Sequence, residues 1–135
     1  MRRLVFILLT VLSLISCQKE GGLATTLIGK WQVAKTEFEN VSHDGTTTLK
    51  GMDYVANTFY LFTNDGTVKY FSKDGSVKEY VYSLDNNSMI LKMGDITYYI
   101  KEYTRTTLVF YSSMAFWDSM GGGRQNHYYY LTKVK

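Results

Sequence analysis

From Leu27 onward the chain alternates apolar and polar positions in short runs, each closed by a cluster of Gly, Asp, Asn or Ser. Eight such runs are predicted as strands, at 28–38, 55–63, 67–72, 76–84, 88–93, 96–103, 106–112 and 127–134. Tyr, Phe, Val, Ile and Thr fill them, and the chain contains 0 prolines to interrupt a ladder. Asn64-Asp65-Gly66, Lys73-Asp74-Gly75, Asp85-Asn86-Asn87 and Gly94-Asp95 mark tight hairpin turns, because these residues tolerate the positive φ such turns need. Asp65-Gly66-Thr67-Val68-Lys69 and Asp74-Gly75-Ser76-Val77-Lys78 are alike, which reads as hairpin pitch rather than a duplicated domain. Two longer polar stretches, 39–53 and 113–126, are expected to be loops.

This spacing predicts an all-β, eight-stranded antiparallel up-and-down barrel, since closing a meander removes its exposed edges. Strand order then puts 39–53 and 113–126 at one end and only tight turns at the other. Gly29-Lys30-Trp31 opens the first strand at the tight end, where the missing side chain admits close backbone and the indole plugs the floor. A Gly-x-Trp at this position resembles the lipocalins, and more closely the lipocalin-like domain of short bacterial lipoproteins. The resemblance spans about 27–135. It implies a calycin-type barrel whose floor is Gly29, Trp31 and a basic residue stacked over the indole. Lys133 at the end of the last strand matches that role, with Arg105 in the preceding turn as an equally placed candidate. The chain departs from larger lipocalins in Glu102-Tyr103-Thr104-Arg105, a poor match to their Thr-Asp-Tyr type motif, and in lacking a helix-length segment after the last strand. A transfer of retinoid or odorant binding is therefore not implied.

The first residues carry a different signal. Met1-Arg2-Arg3 is basic, residues 4–15 are nearly all apolar, and Leu14-Ile15-Ser16-Cys17 looks like a lipobox. Residues 1–16 are expected to be a removed signal peptide, 17–26 a lipidated Cys17 with a flexible tether, and 27–135 the barrel domain. Several acyl chains, palmitate among them, would anchor the protein stably to a bacterial envelope membrane, with the outer membrane expected. Gln18-Lys19-Glu20 faintly resembles surface-export tags and reads more simply as a solvated linker. Losing Arg2 and Arg3 lowers the 15 Lys+Arg by two against 12 Asp+Glu, leaving a charge near +1 and no basic patch for nucleic acid. Cys17 is the 1 cysteine, so no internal disulfide forms and the core must supply stability.

A small barrel interior either packs solid or holds one small ligand. Phe59, Leu61, Tyr80, Tyr82, Met89, Leu91, Tyr98, Ile100, Leu108 and Phe110 alternate as inward positions and serve either case. Met114, Phe116, Trp117 and Met120 place apolar groups on a surface connection, as a ligand contact at the mouth or as a helical turn capping the barrel. With Trp31 inward, strict alternation turns Lys35 and Glu37 inward too, where Lys35 would meet a polar head group; a bulge or a rim ion pair is the alternative. His43 and His127 are isolated, and no metal site, cofactor site or catalytic constellation is expected. The expected function is a non-catalytic binder or carrier of a small amphipathic or hydrophobic molecule. Candidate contacts are Phe116, Trp117, Met114, Met120, Phe59, Tyr98 and Lys35. The alternative is a filled barrel that binds protein or glycan through its loops.

Overall fold

The computed structural model describes residues 22–117, 119 and 121–135. The expected signal peptide, Cys17, Asp118 and Met120 lie outside the described residues. One helical turn, α1 (Leu23–Leu27), precedes nine strands: β1 (Gly29–Ser42), β2 (Thr47–Tyr54), β3 (Phe59–Phe62), β4 (Thr67–Phe71), β5 (Val77–Asp85), β6 (Ile90–Met93), β7 (Ile96–Tyr103), β8 (Thr107–Phe116) and β9 (Gly123–Lys133). Consecutive strands from β3 to β9 pair antiparallel, and β1 joins both β3 and β9. The ring formed by β1 and β3–β9 is a closed eight-stranded barrel.

The ninth strand corrects the expected loop at 39–53. β1 runs on to Ser42, turns through His43–Thr46, and returns as β2, which pairs with Lys35–Val41. Carboxamides and carboxylates in this stretch read as loop, but they sit on a four-stranded extension, β2–β1–β9–β8, whose faces can both be wet. β2 and β3 are therefore one long strand interrupted at 55–58. The Val33 N–H donates to Thr58 O at 2.9 Å, the Val55 N–H donates to Ala34 O at 3.3 Å, and Asn57 takes φ 54° in the gap. Likewise β8 reaches Phe116 and β9 starts at Gly123, so the expected loop at 113–126 shrinks to 117–122. The two tips are neighbours, with the His43 N–H donating to Gly122 O at 3.2 Å. The rim is thus tall along β8, β9, β1 and β2, and low elsewhere.

Tight turns at both ends are held by their own side chains. Asp65 accepts from the Thr67 N–H at 3.1 Å, Asp74 in the opposite-end turn from the Ser76 N–H at 2.9 Å, and Asp85 from the Asn87 N–H at 2.9 Å. Asp65 and Asp74 also accept hydroxyls, from Thr63 and Ser72. These bonds favour the ionised carboxyl, so Asp65 and Asp85 lie below the usual range and Asp74 falls to about 2.

The lower barrel is solid. Trp31, Val33, Phe62, Val68, Leu91, Leu108, Phe110 and Leu131 are buried there, and Leu23 and Leu27 of α1 join the same cluster. Residues 22–26 were expected to be tether; Leu23 and Leu27, four apart, instead give α1 one apolar face against the floor. Packing of this kind carries the stability of a small barrel.

Candidate functional site

The floor brings together the three residues that the Gly-x-Trp opening implicated. Trp31 is 0% exposed, and its indole Nε1–H donates to Leu27 O at 2.8 Å. The Lys133 ammonium lies 5.0 Å from the Trp31 ring centroid and donates to Thr26 O at 2.6 Å and Ile28 O at 2.7 Å. Lys133, and not Arg105, takes the place over the indole. Burial pushes its pKa below the usual lysine value. Gly29 has φ 126°, and a Cβ there would come within 2.9 Å of Lys133 Cε, so glycine is what lets the lysine stem pass.

Above this floor the interior changes character. The β5–β6 ladder runs only from Tyr82↔Met93 to Asp85↔Ile90, so the outer half of β5 extends past the end of β6, with the Gly94 N–H of the following turn donating to Val81 O at 3.0 Å. Beside it lies a cavity of about 390 Å³ lined by Tyr60, Tyr70, Tyr80, Tyr98, Tyr129, Met93, Ile96 and Asp95. Its rings pack on one another: Tyr60 and Tyr70 lie 5.0 Å apart, Tyr98 meets Phe110 edge-on at 5.1 Å, and Phe110 stacks on Tyr129 at 5.3 Å. Among the described residues no hydrogen bond reaches the hydroxyls of these five tyrosines, and none of them is a sealed, unpartnered atom. They open onto the cavity. Burial pushes Tyr60 well up, Tyr98 to about 12 and Tyr129 upward, with the neighbouring phenols adding to each shift. These three therefore stay neutral at physiological pH, able to donate and accept hydrogen bonds. The barrel is filled below and hollow above.

Of the candidate contacts, Tyr98 lines this cavity. Phe59 does not. Tyr60 and Phe62 are the buried positions of β3, and Phe59 is outside under the Lys30 ammonium, 4.5 Å from its ring centroid. Phe59-Tyr60-Leu61-Phe62 is apolar throughout and carries no phase; the pairing of Tyr60 with Trp31 sets it. Lys35 is outside as well. The β1–β9 register shifts between Val33 and Lys35, a bulge at Ala34 that reverses the alternation. Lys35 then pairs with Tyr130 and contacts Glu37 at 3.0 Å, instead of entering the barrel.

Met114 and Trp117 stand at the tall rim, 64% and 87% exposed, and Phe116 is half-buried at the end of β8. They are strand and strand-end residues, not a helical cap. Phe116 and Trp117, with Gly121, Gly123, His43 and Arg124, flank a notch of about 330 Å³ between the two loop tips, apart from the tyrosine cavity; Met114 does not line it.

A larger groove, about 670 Å³, lies on the outer surface between Glu37, Glu39, Lys50, Met52, Lys101, Tyr128 and Tyr130. Its carboxylates already hold partners. Glu37 accepts from the Tyr130 hydroxyl at 2.7 Å and from Lys35, which lowers its pKa, while Glu39 accepts from the Tyr128 hydroxyl at 2.9 Å. The groove is wider than the tyrosine cavity but chemically self-satisfied. No group of three or more His, Cys, Asp or Glu positioned for a metal occurs among the described residues.

No family model matches the chain, and no curated protein sequence matches it. Among solved structures it is similar to a lipocalin-like protein from Bacteroides uniformis ATCC 8492, with 18% identity, a TM-score of 0.47, and coverage of 81% of this chain and 99% of that one. It is also similar to bovine odorant binding protein complexed with its natural ligand, with 18% identity, a TM-score of 0.47, and coverage of 86% of this chain and 76% of that one. The strand pairing itself, closed through β1 and β9 over a tryptophan floor, makes this an all-β, closed eight-stranded antiparallel barrel.

Proposed function

We propose that this protein is a non-catalytic binder of a small amphipathic molecule, taken into the upper half of the barrel. One observation carries the reading. Five tyrosine hydroxyls open onto a cavity of about 390 Å³ with no protein partner among the described residues. That volume falls within the roughly 300–1,000 Å³ usual for small-molecule sites. A ligand entering it meets aromatic faces for its apolar part and uncharged hydroxyls for its polar atoms. A ligand gains affinity where its polar atoms hydrogen-bond these phenols as well as solvent would. Met114, Phe116 and Trp117 would act as contacts on the approach rather than in the cavity. In this reading Cys17 carries the lipid anchor, 18–22 form the tether, and the protein sits at a bacterial envelope membrane.

Native mass spectrometry of the protein from its host, with displacement of the neutral probe N-phenyl-1-naphthylamine, tests the binding claim. A retained small molecule, and probe binding lost in Tyr98→Leu but kept in Tyr98→Phe, are expected. Failure of the probe and of a lipid and amphiphile panel to bind or shift the melting temperature would sink it. Cys17→Ser should release the protein from membranes, and continued membrane association would refute the anchor.

A further inference from the structure

We infer that the cavity selects a small organic cation, an amine or quaternary ammonium compound, over neutral and anionic molecules of the same shape. This rests on the barrel interior being the binding site. The lining combines five tyrosines, one methionine, one isoleucine and one carboxylate, Asp95, with no lysine or arginine. Aromatic faces carry a negative quadrupole, and an array of them around a cavity attracts a cation by its π-electrons. The phenol oxygens add lone pairs that an ammonium N–H can reach. Burial raises the pKa of Tyr60, Tyr98 and Tyr129, so these three phenols bring the attraction without adding a buried anion to the cage.

Asp95 supplies the full negative charge, at the right place. It sits in the Gly94–Asp95 turn between β6 and β7, at the mouth, and is exposed to solvent. Among the described residues it has no ion pair; the pair there is Lys35 with Glu37, on the outer face. A cation entering past the β6–β7 turn, beside the outer half of β5, passes the carboxylate before reaching the rings. A fatty-acid carboxylate would meet Asp95 as a like charge and find no cation in the lining. The opposing group is Lys78, on the same face of β5 as Tyr80 and two residues nearer the rim. It is exposed, as Asp95 is, but stands outside the lining that Asp95 joins, so solvent screens it from a cation seated among the rings.

The test compares choline with 3,3-dimethyl-1-butanol, which replaces the quaternary nitrogen by carbon and keeps the shape. Tyrosine ring resonances followed by NMR report binding within the cavity. Choline is expected to bind at least about tenfold more tightly than the alcohol, the gap a desolvated cation–π site produces. Asp95→Asn should weaken choline about threefold or more and leave the alcohol unchanged, as removal of a partly screened charge predicts. Tyr98→Phe should keep most choline binding, while Tyr98→Leu with an unchanged melting temperature should lose it. Equal affinity for choline and the alcohol overturns the inference. So does laurate binding more tightly than choline with that advantage lost in Lys78→Ala. N-phenyl-1-naphthylamine separates the two levels. If it binds and choline does not, the cation preference falls and the cavity reading stands; if neither binds, both fall.

Discussion

Replacing Lys133 by Met keeps the stem that passes Gly29 and removes the ammonium that ties the last strand to the entry of the first. Lys133 donates to Thr26 O at 2.6 Å and Ile28 O at 2.7 Å, so it holds the end of α1 as well as covering Trp31. A hydrogen bond to a charged group contributes about 1.5–3 kcal/mol in favourable settings. Lys133 is only half-buried, so both bonds together are worth about 1.5 kcal/mol after competition from water. The cation–π contact adds about 0.5–1 kcal/mol. Desolvation of the ammonium, visible in its lowered pKa, subtracts from the sum. The net loss is about 2 kcal/mol, which in a domain of this size lowers the melting temperature by about 8 °C. Thermal unfolding followed by near-ultraviolet circular dichroism measures it. A double-mutant cycle with Trp31→Phe should show a coupling of about 0.5–1 kcal/mol. A melting temperature within about 2 °C of the parent, or strict additivity in the cycle, would refute the view that this lysine fastens the floor.

The buried and rim aromatics should separate cleanly. Phe110→Ala, at 0% exposure, should cost about 3–5 kcal/mol in chemical denaturation, whereas Trp117→Ala should stay within about 0.5 kcal/mol of the parent. A large loss at Trp117 would make it a packing residue instead of a contact at the mouth. Acid should unfold the protein partly through its turns. Asp74 titrates at about 2 in the folded chain against about 3.9 when unfolded, and Asp65, Asp85 and Glu37 are lowered in the same sense. A lowered folded value means stabilisation that is complete above about pH 5 and lost as pH falls through 4 toward 2. Melting temperature against pH should drop over that interval, less steeply in Asp74→Asn; an unchanged slope in that variant, with Asp74 titrating near 4 by NMR, would contradict it.

The turns and the closed meander were legible in the chain because both rest on local chemistry. Asn-Asp-Gly and Lys-Asp-Gly dictate where the backbone reverses, and unbroken runs of aromatic and β-branched residues dictate strands between them. Strand order brings the first and last strands together and so put Lys133 near Trp31, but the choice of Lys133 over the equally placed Arg105 needed the structure. What misled was phase and polarity. Phe59 to Phe62 offers four apolar side chains in a row, so nothing local says which pair faces in. Lys35 would have entered the barrel under strict alternation, and a single extra residue at Ala34 turned it out. Glu39, Asn40 and Lys50 read as loop, yet they lie on paired strands beyond the barrel proper, where no core demands apolar residues. Of the tyrosine cavity, only Tyr80 and Tyr98 were recognised as inward-facing; Tyr60, Tyr70 and Tyr129 come from strands whose register only the closed ring defines. The signal available in the sequence was the count of 12 tyrosines, high for a chain of 135 residues that needs an apolar core.

Leu23 and Lys133 both belong to the stoppered end of the cylinder, and Lys133 physically bridges the first helical turn to the final strand. Either extremity can therefore serve as a handle. A surface, bead or fused reporter attached behind the indole leaves the opposite entrance unobstructed. A binder built on this scaffold could be mounted by its tail and still present its opening to solution.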